Sequence, residues 1–497
     1  MRAFSTWKIV WWCVGVGLWM RFPSQGVAQP VLEHQEVTEH HAPWEPRKRV
    51  VIRHSYGAIR LRAVEEGTTV SVRAHHQLAG MTRQAIQAYL HAFRINVQAF
   101  DDRVEVVTIR PTGEHKLLNQ TTVDLDVVVP AEVLVDLSTR FGDLDVQGVG
   151  ELKATAPFGA ISVRSVAGNV TLEGKHGKVQ IHDVRGDVRV THSLGDVEVT
   201  RVEGSLVARN QFAQIRAQGI RGRAVVENRS GPITLVNLSG GAEVTCQHAQ
   251  VAVSRVTGDL QVTNRDESVA VADVQGTVVV VNANGPVKAR DINGDLKVDS
   301  RFGTVEVSQV RGKLTVEHSN GELSVRNVKG PAVLTNSHGL VQVDGVEGDC
   351  RIRNEFGAVT VRMVLGRLDV LNAWGLVQAD LPPGGVRPAG SAKPAALAAP
   401  KNGETEATPE DAPAWYLETN HNNVILGVPS GTGCTLSVEA NSGLIDAQFP
   451  LMKQRVGSKE AAHGDVQGGG MKVDVKVDLG MAQIQKRPAG STGRQRK

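Results

Sequence analysis

Thirteen glycines recur every 18 residues through the middle of the chain, with no insertion or deletion between them: Gly150, Gly168, Gly186, Gly204, Gly222, Gly240, Gly258, Gly276, Gly294, Gly312, Gly330, Gly348 and Gly366. A fixed period sustained over more than two hundred residues means one supersecondary unit stacked on copies of itself. Within a unit the apolar residues alternate. After Gly186 they fall at Val188 and Val190, and after a second glycine, Gly195, at Val197, Val199 and Val202. A period of two makes each half a short strand with one buried face, and excludes helix, whose 3.6-residue period would carry charges onto the apolar side. A lone coil burying about five aliphatic side chains cannot offset the entropy of ordering 18 residues, so the coils must stack. The predicted fold is all-β: a single-stranded β-solenoid of 18-residue coils, about 60 Å long at ~4.8 Å per coil.

Two finer columns follow from the same alignment. Mid-unit glycines such as Gly159, Gly177, Gly195, Gly303 and Gly321 give way only to Ala213, Ala249 and Glu267, so this bend favours a left-handed or crowded backbone without demanding glycine. Six residues after the main glycines stand Asn210, Asn228, Asn264, Asn282, Asn336, Asn354 and Asn372, with His192, Cys246, Ser300 and His318 in the same register. Asparagine tolerates left-handed bends and its amide both donates and accepts, which predicts a structural hydrogen-bonded ladder inside a turn rather than a ligand-binding row. Two other solenoids fit less well. The left-handed hexapeptide helix needs an aliphatic where this chain has Arg164, His182 and Thr200. The calcium β-roll needs Gly-Gly-x-Gly-x-Asp runs, whereas here Asp187, Asp196, Asp259, Asp295 and Asp349 follow glycine only sporadically.

The flanks divide into further segments. Residues 1–28 read as a secretory signal, with Arg2 and Lys8 before an apolar run too short to span a bilayer, then Gly26-Val27-Ala28 as a cleavage site. Residues 29–49 read as a disordered leader in which His34, His40 and His41 are more plausibly solvated than metal-bound. Residues 50–131 read as an N-terminal cap with strands and one helix over about 81–92, needed to cover an open strand edge. The solenoid spans 132–381, beginning with a coil one residue short. Residues 382–413, rich in Pro, Ala and Gly, read as a flexible linker; 414–485 as a C-terminal β cap; and 486–497 as a basic disordered tail.

The motifs Val127-Val128-Val129-Pro130, Phe141-Gly142-Asp143-Leu144, the repeated Gly-Asp-Val-x-Val units and the closing Ala440-Asn441-Ser442-Gly443-Leu444-Ile445 resemble the bacterial putative-adhesin family of β-strand repeat proteins over residues 50–485. The resemblance implies an exported β-solenoid, adhesin-like in function, and supplies no catalytic residues.

Composition narrows the function further. The formal charge of +3 is carried by Arg2, Lys8 and Arg21 within the signal, leaving a mature chain with no basic excess to attract nucleic acid. Cys246, Cys350 and Cys434 are an odd number, and the first two lie nearly six coils apart, so they read as small buried hydrophobes. The outward columns gather no paired carboxylates over adjacent coils, and there is no phosphate loop, nucleophile elbow or zinc spacing. His176, His248 and His338 share a column with Phe158, Leu194, Phe212, Phe302, Phe356 and Trp374, which reads as a packed corner. Scattered outward aliphatics such as Val225, Val279, Val281, Val333 and Leu371 read as ordinary surface.

The expectation is therefore a non-enzymatic, adhesin-like binding or structural rod of the cell envelope: exported to periplasm or surface, free of cofactor, metal and nucleic acid, and not integral to a membrane once the signal is removed. Its partner would be an envelope protein or a glycan. The alternative is a polysaccharide-active β-helix lyase or hydrolase with its site at a cap or under the linker. Independent coils make a simple prediction: deleting one 18-residue unit leaves a shorter folded rod, whereas inserting a single residue within a strand lowers the melting temperature sharply, as circular dichroism would record.

Overall fold

The computed structural model describes residues 32–65, 67–80, 82–110, 118–384 and 414–488. The proposed signal, most of the proposed linker and residues 489–497 of the proposed tail lie outside the described residues. Each 18-residue coil gives one strand to each of two facing parallel sheets. In the coil after Gly186 these are Val188–Thr191 and Val197–Val202. Within the repeat, strand residues pair with those 18 places on, as Val188 does with Leu206 and Val197 with Ile215. Inward side chains from the two sheets meet in one continuous apolar core that runs the length of the rod.

The fifth buried residue of each coil breaks the alternation: Val199 and Val202 both point inward, with Thr200 and Arg201 outside. The cause is a left-handed residue between them. Arg201 has φ +55°, and Asp183, Arg255, Gln309 and Met363 at the same place in other coils have φ from +53° to +58°. This turn re-phases the strand and brings the third aliphatic column back to the core.

The two glycine series solve different problems. The main glycines are needed for close approach: a Cβ on Gly330 would lie 2.2 Å from the carbonyl oxygen of Gly312 in the coil before. The mid-unit bend is left-handed as well, with Gly321 at φ +143° and its missing Cβ only 1.9 Å from the Gly303 oxygen. Ala213 and Glu267, which replace glycine there, are held at φ +82° and +80°. The bend imposes its left-handed geometry on these two residues, whereas Ala249, the third replacement, is not left-handed, so the bend favours that geometry without demanding it.

At both ends the chain order and the spatial order differ. The first coil, Arg49–Arg53 with Ile59–Val64, lies between the coil of Arg103–Ile109 and Leu118–Pro130 and that of Leu134–Ser138 and Leu144–Gln147. The last coil, Met471–Val477 with Met481–Arg487, inserts between Trp415–Thr419 with Val424–Pro429 and Cys434–Ala440 with Leu444–Ala447. Beyond these, antiparallel strands close the stack. Leu32–Pro43, expected to be disordered, instead pairs along its whole length with Thr69–Gly80. The helix Arg83–Ala92 is capped by Thr82, whose hydroxyl accepts from the Ala85 N–H at 3.2 Å, and packs Ile86 and Tyr89 against Leu78.

The open edge left at Leu444–Ala447 is blunted by side chains. The Ile445 N–H donates to the Glu460 carboxylate at 3.1 Å, and its carbonyl accepts from Lys453 Nζ at 2.6 Å. Both backbone groups that would recruit another strand at that residue are occupied.

The glycine analysis predicts opposite signs for two substitutions. Gly321→Ala should destabilise the rod by roughly 3 kcal/mol or more, from strain and main-chain overlap. Glu267→Gly, relieving a left-handed residue, should be neutral to stabilising by about 1 kcal/mol. Chemical denaturation of the two variants beside the parent chain measures both.

Candidate interaction surfaces

The asparagine column lies inside the bend between the sheets, and all seven side chains are buried. Most amides bond to main chain rather than to each other. Asn228 Nδ2 donates to the carbonyls of Ala213 and Gly231 at 2.9 and 3.0 Å, and Asn282 to those of Glu267 and Gly285 at 3.2 and 3.0 Å. Each amide thereby ties its own bend to the one in the coil before. A direct side-chain rung occurs between Asn354 and Asn372, at 3.1 Å. Where the column departs from asparagine the chemistry persists: the His192 ring bonds the Gly177 carbonyl at 2.9 Å, and the Cys246 thiol donates to Asn264 Oδ1 at 3.0 Å.

The aspartates that follow glycine are similarly engaged. The Asp187, Asp259 and Asp295 carboxylates each accept the main-chain N–H 18 residues on, from Ser205, Thr277 and Lys313, at 2.7 to 2.8 Å. Outward charges pair from coil to coil: Arg209 with Glu227 at 3.0 Å, Lys288 with Glu306 at 3.2 Å, and Arg351 with Asp369 at 3.1 Å. The Arg201 guanidinium beside Asp183 holds its carboxyl below the usual carboxylate range. Such exposed pairs contribute little to stability, yet they leave few unpartnered acids on adjacent coils for general acid–base work.

Cys246, Cys350 and Cys434 are free and buried, and burial pushes the Cys246 and Cys350 thiols up to about 12, which keeps them unreactive thiols. His34 and His40 sit on one face of a strand, about 20 Å apart at 3.4 Å per residue, while His41 bonds the Ser71 hydroxyl on the other face. Among the described residues no group of three or more His, Cys, Asp or Glu could hold a metal ion.

Two surfaces remain. Along the left-handed bend run two shallow grooves, with volumes near 1030 and 920 Å³. Their walls are ion pairs such as Arg221 with Glu203 at 3.2 Å and Arg290 with Asp291 at 3.1 Å, of mixed sign throughout. The sequence reading missed this edge, because arginine, glutamine and methionine at the bend carry no left-handed signal.

The opposite edge corrects the packed-corner expectation. Its side chains project outward, and Phe302 and Trp374 are 47 % and 49 % exposed. Successive rings stack on one another. Tyr56, Phe141, Phe158 and His176 form one file with centroids 5.2, 5.0 and 4.8 Å apart. His338, Phe356, Trp374 and His421 form another, at 4.7, 6.3 and 3.6 Å. The outward aliphatics Val225, Val279, Val333 and Leu371 are half-buried among their neighbours, and Val281 alone of that group is exposed.

A scan against protein-family models finds no match, and a search of curated proteins finds none. Among solved structures the chain is similar to one described as a putative cell adhesion protein from Clostridium sporogenes. The alignment covers 91 % of this chain and 100 % of that one, at 8 % identity and a TM-score of 0.15. At that score the two do not superpose as wholes, and the fold assignment stands on the strand pairing alone.

The buried histidines of the asparagine column make stability depend on pH. Burial lowers the pKa of His192 and His318 below the usual 6.5. Below about pH 6.5 the unfolded chain takes up protons that the folded chain refuses, so stability falls from that pH down to the folded values. His318→Asn, restoring the column's common residue, should reduce the loss of melting temperature between pH 7.5 and pH 5. Asn282→Ala, which strips two carbonyls of their donor, should cost about 1–3 kcal/mol at both pH values.

Proposed function

We propose that this chain is an exported, non-enzymatic rod of the cell envelope, acting through extended outer surfaces as an adhesin-like binding or structural protein. The observation that carries the reading is where the polar groups go. Buried asparagine and histidine side chains and exposed turn aspartates hold one coil to the next, and outward acids and bases pair along the rod instead of converging on a point. A catalytic centre needs titratable groups brought together with perturbed affinities for protons. Here the perturbed groups are structural, and an extended array of repeated faces suits binding along a length. The secretory signal read at residues 1–28 and the resemblance to an adhesin-like family support export. Among the described residues no helix is long and apolar enough to cross a membrane.

The partner class is an envelope protein or a glycan. Immobilised mature chain should retain a component from an envelope fraction or a glycan array and should release no reducing ends from polysaccharides. Turnover abolished by an outward Asp→Asn or Glu→Gln change would overturn the non-enzymatic reading, and an empty pull-down the binding one.

A further inference from the structure

The aromatic edge carries an order that stacking alone does not require. The column runs through sixteen coils from Tyr56 to His421, each residue beside the next. Read toward its His248–Asp266 step from both sides, its chemistry repeats. Tyr56 matches His421, beyond which Leu479 continues the column, and inward of them Phe141 matches Trp374 and Phe158 matches Phe356. His176 then matches His338, and Phe212 matches Phe302. At the centre His248 and Asp266 are neighbours, with Nδ1 and Oδ2 2.7 Å apart. Leu194 with Asn320 and Ser230 with Asn284 are the mismatches.

We infer that this edge is a self-complementary interface and that its occupant is a second copy of the chain, docked antiparallel about a two-fold axis between His248 and Asp266. A two-fold interface is isologous: a residue at a given distance on one side of the axis meets the residue at the same distance on the other. A palindromic column is what such an axis reads as self-complementary. It sets aromatic edge on aromatic edge toward both ends, and at the centre brings each His248 within reach of the acid of the other copy.

Three observations favour a second copy over other occupants. A sugar would stack on ring faces, but within the two stacked files these faces are covered by neighbouring rings, and Arg110 lies over Tyr56 at 4.2 Å, which leaves open-faced rings only at Phe212 and Phe302. The apolar stretches are split by a polar centre that pairs acid with base, which a membrane surface would not match. The size also suits a stable dimer: about fifteen spacings of ~4.8 Å by a width of about 11 Å give roughly 800 Å² per copy.

Analytical ultracentrifugation of the mature chain at micromolar concentration should find a dimer. Phe158→Glu and Phe356→Lys should each weaken it at least tenfold while circular dichroism shows an intact rod. Combined in one chain the two substitutions face each other across the axis and should restore dimerisation. A monomeric parent chain, or a double variant no better than either single one, overturns the inference. Orientation is tested separately by mild oxidation. Phe141→Cys chains mixed with Trp374→Cys chains should give mixed disulfide dimers, and cross-linking of Phe141→Cys chains to each other instead would overturn the antiparallel arrangement.

Discussion

Everything in this rod depends on how closely one coil's main chain lies on the next. The approach leaves no space for a side-chain carbon at the two bends, as Gly330 against Gly312 and Gly321 against Gly303 demonstrate. It also fixes the strand register, so that a coil of another length, such as the entry coil that pairs Leu134 with Glu151, must take up the difference at a bend. Once that spacing is set, each place in the repeat becomes a column with one environment. Apolar columns become the core. A buried polar column survives only if it can bond upward or downward, which is why asparagine, histidine and a thiol are interchangeable six residues past the glycine.

A stack built this way pairs the main chain of each interior coil on both sides, and its ends show a common solution. In both cases a coil close to a chain terminus is inserted inside the stack, with later-made or earlier-made coils on its two sides. A strand paired on both edges cannot fray, so the coils nearest the two chain termini are held within the stack. Antiparallel strands then end the parallel stack, and the edge at Ile445 is occupied by a carboxylate and an ammonium. The device prevents rods from adding end to end through their sheets.

The repeat, the core columns and the buried asparagines were legible in the sequence because each is a periodic choice of residue type. Other features were not. The left-handed turn at Arg201, Gln309 and Met363 is imposed by stacking on residues with no preference for it. The strand at Leu32–Pro43 looked disordered because its composition is polar; it is ordered by a long partner, Thr69–Gly80, that no local pattern indicates. Alternation located the strands near Val424, Leu436 and Val473 but said nothing of their order, since parallel neighbours are chosen by long-range pairing. The aromatic edge was misread for a related reason. A ring packed on the coil above and a ring packed in a core present the same periodicity, and only the three-dimensional arrangement shows which edge faces solvent.

The same geometry limits what the surface can do. Outward columns repeat at about 4.8 Å, so any partner meets a row of similar groups and its binding free energy is distributed along many coils. Recognition of this kind depends on length and symmetry more than on one residue. A point site needs unlike groups to converge from different elements, and the solenoid keeps unlike groups in parallel files that never meet. The two edges of this rod differ accordingly. The grooved edge is lined by charges of mixed sign, some of them paired, whereas the aromatic edge leaves apolar surface exposed in an order that reverses about the His248–Asp266 step. Of the two, it is the aromatic edge whose chemistry is unfinished in a single chain.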